Sequence, residues 1–231
     1  MSKTVVIHQP DFLPYLGFFH RFLHSDLWVI FDNVQFLNNS KSWHNRDKIK
    51  TPQGEKWLTV SVQKCSQKTN INEVLLADLL DWRKDNLNLI KSNYAKAPYF
   101  AEVFPYMEEL YQYRCEKMLD FNLRSIEMLM KLLDINIEKK LASELNPEGT
   151  KNELLIDILK KVKADVYLSG TGAKDYLDVK MFQESGFEVV FQNFTHPIYS
   201  QLQGNFIPYL SSVDFLLNCG IEESRKIIRS I

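Results

Sequence analysis

The sequence predicts a three-layer α/β protein with a mostly parallel, Rossmann-like sheet and a helical insertion. Three observations carry this. Thr4–Ile7 and Leu27–Phe31 are short runs apolar on both faces, as strands buried in a parallel sheet are. Between them Leu16, Phe18, Phe19, Phe22 and Leu23 recur at helical spacing, which makes a βαβ unit with a parallel crossover. The same alternation returns after residue 136, beyond a long helical tract.

Taken in order, the segment after the second strand is polar and Asn-rich. It holds Trp43, Asn45 and Arg46. Pro52-Gln53-Gly54 reads as a hairpin turn, with Lys56–Gln63 alternating as a strand and Lys48–Lys50 as its partner. From residue 75 to 133 the periodicity is helical, over Leu79–Tyr94, Phe100–Leu110 and Cys115–Leu133, with Pro98 and Pro105 as punctuation. Ile137–Ala142 reads as a strand. Thr150 and Glu153 then have capping-box spacing ahead of an apolar stripe of Leu154, Leu155, Ile158, Leu159 and Val162. Asp165–Leu168 is the next strand, Val179–Ser185 a helix and Glu188–Gln192 a strand. Helices close the chain. The reading is of one domain spanning 1–231, with 75–133 a helical insertion or cap.

A hydrophobic content of 45% and 29 aromatic residues (15 Phe, 10 Tyr, 4 Trp) supply a sizeable core. A net charge of −1 without a long basic run argues against nucleic-acid binding. No apolar run approaches a bilayer span, and Met1–Asp11 has no signal-peptide character, so the expected compartment is the cytoplasm. Cys65, Cys115 and Cys219 are far apart and read as reduced, partly buried thiols. No metal-ligand spacing stands out, no cofactor is signalled and no activated nucleophile is visible.

Ligands bind an open parallel sheet beyond the carboxyl ends of its strands. Polar clusters follow four of the expected strands, and all four are expected on one edge. The first is His8, Gln9 and Asp11 in a turn stiffened by Pro10 and Pro14. His8 is a candidate general acid or base, with Asp11 in the catalytic set and Gln9 in the binding set. Gly17 is read as letting the helix start close to the sheet. After the second strand come Asp32, Gln35, Trp43, Asn45 and Arg46. There Arg46 would clamp a phosphate or carboxylate and Trp43 stack on a ring. The turn Gly170-Thr171-Gly172 would cradle an anion, with Tyr176 placed to orient a hydroxyl. The last cluster holds His196, a second catalytic candidate, with Tyr199 and Gln201 as binding residues. Asp214 could orient a histidine, but reads first as a cap of the helix that begins after Ser211-Ser212. Each cluster also has a plain structural reading: a strand-capping histidine, a tight turn, a solvated arginine.

The segments HQPDFLPYLGFFHRF, FDNVQF, Trp43-His44-Asn45-Arg46, YLSGTGAKDYLD and FTHPIYSQ, followed by LSSVDFLLNCG, together resemble the WbqC-like protein family, in order and over nearly the whole chain. That resemblance implies a setting among bacterial genes for O-antigen, lipopolysaccharide and other surface polysaccharides. It implies a transferase acting on nucleotide sugars, moving an acyl or aminoacyl group to a sugar amine. The implied partners are a nucleotide sugar and an acyl or aminoacyl donor. The alternatives are a non-catalytic nucleotide-sugar binding or assembly protein, and a nucleotidylyltransferase-like enzyme. For the last, the H-x-G-H signature is degenerate here, because Pro14–Phe18 has no histidine on either side of Gly17.

Overall fold

The computed structural model describes residues 2–37, 42–77 and 81–231. The chain forms two compact units. One is Met1–Gln9, His20–Asn33 and Asn136–Phe194. The other is Pro10–Phe19, Val34–Ile135 and Thr195–Ile231.

The first unit holds a five-stranded sheet made of β1 (Thr4–His8), β2 (Leu27–Ile30), β5 (Glu138–Leu141), β6 (Val166–Ser169) and β7 (Glu188–Phe191), in the order β5-β2-β1-β6-β7. Every pairing is parallel. Reading outward, the sheet's own strands run third, second, first, fourth, fifth, the doubly wound order, so the direction of winding reverses between β1 and β6. Alternation decides which layer each side chain joins. Val5, Ile7, Leu27 and Val29 face a core with Leu155, Ile158 and Leu159 of α6 (Asn152–Lys161) and Phe182 of α7 (Val179–Glu184). Trp28 is one residue out of phase with Leu27 and Val29, and the Phe22 ring packs on it at 4.8 Å from α1 (Leu16–Leu23). The sheet thus carries helices on both faces, the three-layer α/β architecture the sequence predicts.

The second unit holds the antiparallel hairpin of β3 (Arg46–Thr51) and β4 (Gly54–Thr59) with helices α2 (Trp82–Tyr94), α3 (Phe100–Gln112), α4 (Met118–Leu133), α8 (Ser212–Cys219) and α9 (Ile221–Arg229). Helix α5 (Ala142–Leu145) follows β5 in the first unit.

Some boundaries differ from the sequence reading. The predicted start of α2 at Leu79 lies outside the described residues. Helix α4 begins at Met118 rather than Cys115, because Leu76 N donates to Glu116 O at 2.8 Å and Lys117 bridges Leu75, which holds that stretch extended. Pro105 lies inside α3, not at its end. Helix α6 starts at Asn152. The Glu153 carboxylate accepts from Thr150 N at 3.4 Å, but no side chain caps the first turn. Strand β4 stops at Thr59, and Val62 pairs with Leu76 instead. Cys65 is exposed rather than partly buried.

The turn after Pro10 is clamped by buried hydroxyls. Leu13 is fully buried with φ 43°, a left-handed conformation that costs a branched residue about 1–2 kcal/mol. Ser125 Oγ accepts from its N–H at 3.3 Å and Ser211 Oγ donates to its carbonyl at 2.7 Å. Ser212 Oγ and N both donate to Pro14 O, at 2.7 and 3.1 Å. Gly17 makes room for a ring: a Cβ there would sit 2.3 Å from Tyr15 Cε2. It therefore serves a side chain, where the sequence reading assigned it to helix–sheet approach.

Ser211 also caps α8 by accepting from Val213 N at 3.3 Å. Ser211→Ala removes the cap and the donor to Leu13 O together. It should lower unfolding stability by about 1–2 kcal/mol in urea melts, whereas substitution of exposed Ser230 should change it by less than about 0.5 kcal/mol.

Candidate functional site

The reversal between β1 and β6 defines the crevice where a doubly wound sheet takes its ligand. In the first unit β1 ends at His8 and β6 at Ser169. As neighbouring parallel strands they finish on the same edge. Gly170 and a single 3-10 turn, Thr171–Ala173, follow β6. Gly170 has an ordinary φ of −70°, so its backbone makes no demand for glycine. Space does: a Cβ there would lie 3.0 Å from Nη1 of Arg21. The guanidinium of Arg21, 4% exposed, thus lies against the backbone of the turn. Gly172 opens onto empty space, since a Cβ there would meet nothing within 4 Å.

Around this turn the unit gathers further polar groups. Gln192 lies just past β7 and is buried. Its Nε2 donates to His20 Nδ1 at 3.1 Å. The His20 ring stands 4.5 Å from His24 and 5.4 Å from Phe194. Tyr176 is 67% exposed. His8 is half-buried, and its carbonyl accepts from Phe31 N at 2.9 Å and Trp28 Nε1 at 3.2 Å. Its Nδ1 donates to Gln9 O at 2.8 Å, so a neutral His8 keeps its lone pair on Nε2, the tautomer a general base uses. Asp32 is 1% exposed and its carboxylate accepts from Ser143 N at 2.9 Å and Ser143 Oγ at 2.6 Å, at the start of α5. That geometry gives Asp32 a structural task.

The second unit carries the other sequence candidates. Phe12 N donates to Trp43 O at 3.3 Å, which brings the Asp11 turn to the Trp43–Arg46 segment. Arg46 stacks its guanidinium 4.3 Å over Trp57 and donates Nε to Ser42 O at 3.2 Å. Trp43, 40% exposed, stands 5.2 Å from the same Trp57, and Lys48, paired with Glu55, lies over both rings. Asn45 is buried and spends its amide on Val60 O at 3.0 Å. Gln35 donates to Gln67 O at 2.6 Å. Burial pushes the Asp47 carboxyl well above the usual range, opposed by Lys48 N–H and reinforced by nearby Asp11.

His196 is held like His8, with Nδ1 donating to the next residue's carbonyl, Pro197 O, at 2.9 Å. Its ring lies 5.1 Å from Tyr209, 5.8 Å from Phe206 and 6.2 Å from Tyr199. Burial lowers its pKa and keeps it neutral at pH 7. Tyr199 and Gln201 belong to a buried network centred on Asp214. The Asp214 carboxylate accepts from Tyr94 Oη at 2.6 Å, Tyr199 Oη at 2.7 Å and Gln201 Nε2 at 2.8 Å. Lys50, 5% exposed, donates to Gln201 Oε1 at 3.1 Å and Asn205 O at 2.6 Å.

Of the sequence candidates, the sheet edge in the first unit gathers His8, Gln9, Asp32, Gly170, Thr171, Gly172 and Tyr176. Asp11, Gln35, Trp43, Asn45, Arg46, His196, Tyr199 and Gln201 lie in the second unit. Sequence reasoning missed Arg21, His20 and Trp57, and read Asp214 as a helix-start residue without its network of partners. A signal existed for two of them. Arg21 sits three residues after Phe18 on the apolar face of α1, and Asp214 interrupts the apolar run of α8. A charge at a buried phase of an amphipathic pattern marks a built interaction. Among the described residues, no group of three or more His, Cys, Asp or Glu is placed to hold a metal ion, and no helix is long and apolar enough to cross a membrane.

Compared with known proteins, the chain matches the model of the WbqC-like protein family over residues 9–226. It is also similar to an uncharacterized protein of Mycobacterium tuberculosis, with 31% identity over 223 residues that cover 95% of each chain. No solved structure matches it.

His44 gives the pH signature of this folding. It is 6% exposed, Asn122 Nδ2 donates to its carbonyl at 2.5 Å and Leu37 N donates to its Nδ1 at 3.2 Å. Burial lowers its pKa from 6.5 to about 4. A depressed folded pKa contributes stability that is complete above the unfolded value and lost as pH falls through the folded one. Unfolding stability should therefore fall by about 3 kcal/mol from this group between pH 6.5 and 4. Urea melts of His44→Gln across that range should lack this component.

Proposed function

The chain belongs to the WbqC-like protein family, and on that premise we propose that it is a transferase of bacterial surface-polysaccharide biosynthesis, moving an acyl or aminoacyl group onto the amine of a nucleotide-linked amino sugar. The observation that carries this reading is the guanidinium of Arg21 seated against Gly170 where the sheet reverses. A planar cation beside a turn with glycine on either side of Thr171 suits the diphosphate of a nucleotide sugar. The N–H groups of Thr171 and Gly172 begin a turn and so have no partner within it.

His8 is the general base of this proposal. It ends the strand next to β6 in the same unit as Arg21, and its tautomer leaves the lone pair on Nε2. The sugar amine forms a bond to the donor's carbonyl carbon and the bond from that carbon to the leaving group breaks. His8 Nε2 takes the amine proton and returns it to the departing group. His196 has the same tautomer but belongs to the other unit, where it lies among aromatic rings.

The test uses nucleotide-linked amino sugars as acceptors with acyl and aminoacyl donors, read by mass spectrometry and titration calorimetry. Arg21→Ala should weaken acceptor binding about 10- to 100-fold, the loss of charge-assisted hydrogen bonds. His8→Ala should leave binding intact and lower turnover by about 10²–10⁴-fold. Acceptor binding with no mass gain for any donor would replace the transferase by a nucleotide-sugar carrier, and binding indifferent to Arg21 would end the proposed site.

A further inference from the structure

The sheet of the first unit has two edges, and they are built differently. The β5 edge begins Glu138-Lys139-Lys140, exposed charged residues that resist pairing with another strand. The β7 edge is Glu188-Val189-Val190-Phe191, a charge at its start and apolar residues after it. Val190 is 38% exposed.

The backbone of β7 shows what this edge lacks. Glu188 N donates to Asp165 O at 3.0 Å and Gln192 N to Ser169 O at 2.8 Å, so these residues and Val190 between them turn their N–H groups toward β6. Alternation turns the N–H and C=O groups of Val189 and Phe191 away from the sheet. Among the described residues none of those groups has a hydrogen-bond partner. A further extended strand is what satisfies such a row.

We propose that β7 is a self-association surface, pairing antiparallel with β7 of a second copy of the chain across a two-fold axis at Val190. Two features of the edge select a second copy as its occupant. In this register Val189 of each copy faces Phe191 of the other, so the outward rows close on one another. Val190 meets its own counterpart, and Glu188 meets Gln192 rather than another carboxylate. The second feature is charge. Glu184 ends α7 one tight turn before β7, where Gly186 N donates to Gln183 O, so Glu184 and Glu188 make the start of the edge acidic. The pair of Glu184 with Lys180, 3.6 Å apart, joins two exposed side chains and is weak. At the other end Lys174 lies 5.4 Å over the Phe191 ring and forms no ion pair among the described residues. An antiparallel two-fold sets the acidic start of each copy against the basic end of the other.

Sedimentation of the full chain over a range of concentration should show a reversible monomer–dimer equilibrium. Val190→Lys places like charges face to face at the axis and should weaken the dimer by more than about 10-fold. Position 190 is open to water, so this variant should keep the circular dichroism spectrum of the parent. Disulfide trapping reads the register separately, with Cys65, the exposed native thiol, changed to Ser. Val190→Cys puts sulfurs on opposed residues whose Cα atoms would lie about 4.5 Å apart, within disulfide reach, and should oxidise to a covalent dimer. Glu188→Cys faces Gln192 and should not. A wild-type chain that stays monomeric at every concentration would leave the edge to some other strand and overturn the proposal. A dimer indifferent to Val190→Lys, or trapping that is equal at the two positions, would overturn it as well.

Discussion

The neighbouring parallel strands β1 and β6 end at His8 and Ser169 on one edge of the sheet, and the proposed site depends on that ending. Past it the chain must leave the sheet, and the winding reverses there, so no crossover helix fills the gap. What occupies the edge is set by contact distance. A Cβ at residue 170 would stand 3.0 Å from Nη1 of Arg21, so alanine there would make the guanidinium give by a few tenths of an ångström and a larger residue by more. At 4% exposure the Arg21 charge is withdrawn from water and depends on polar partners around it.

The second unit stabilises its polar groups differently. Serines 125, 211 and 212 are all fully buried, and all serve backbone groups of the Leu13–Pro14 turn. Asp214 accepts three side-chain hydrogen bonds, two from tyrosines whose own pKa values burial raises. A satisfied network in a low-dielectric interior fixes one arrangement of its members.

The sheet was legible because its strands are short and apolar on both faces, and because the stripes of α1 and α6 have helical spacing. The helical tract was legible in type, less so at its ends. The start of α4 depends on Glu116 pairing with Leu76, a contact 40 residues away in sequence that no local pattern encodes. The Gly170–Gly172 turn could be read as a motif, but the arginine that explains its first glycine lies 149 positions earlier on a helix. Asp214 was visible as a helix-start residue while its role is set by Tyr94, Tyr199 and Gln201. Burial and partner choice are tertiary facts. The sequence hints at them only where a charge falls on an apolar face, as Arg21 and Asp214 do.

The most direct test of the central claim is a crystal structure with a nucleotide-linked amino sugar bound. The account predicts the diphosphate within hydrogen-bond distance of the Arg21 guanidinium, over the turn that follows β6. An ordered nucleotide sugar lying elsewhere, with Arg21 untouched, would contradict it.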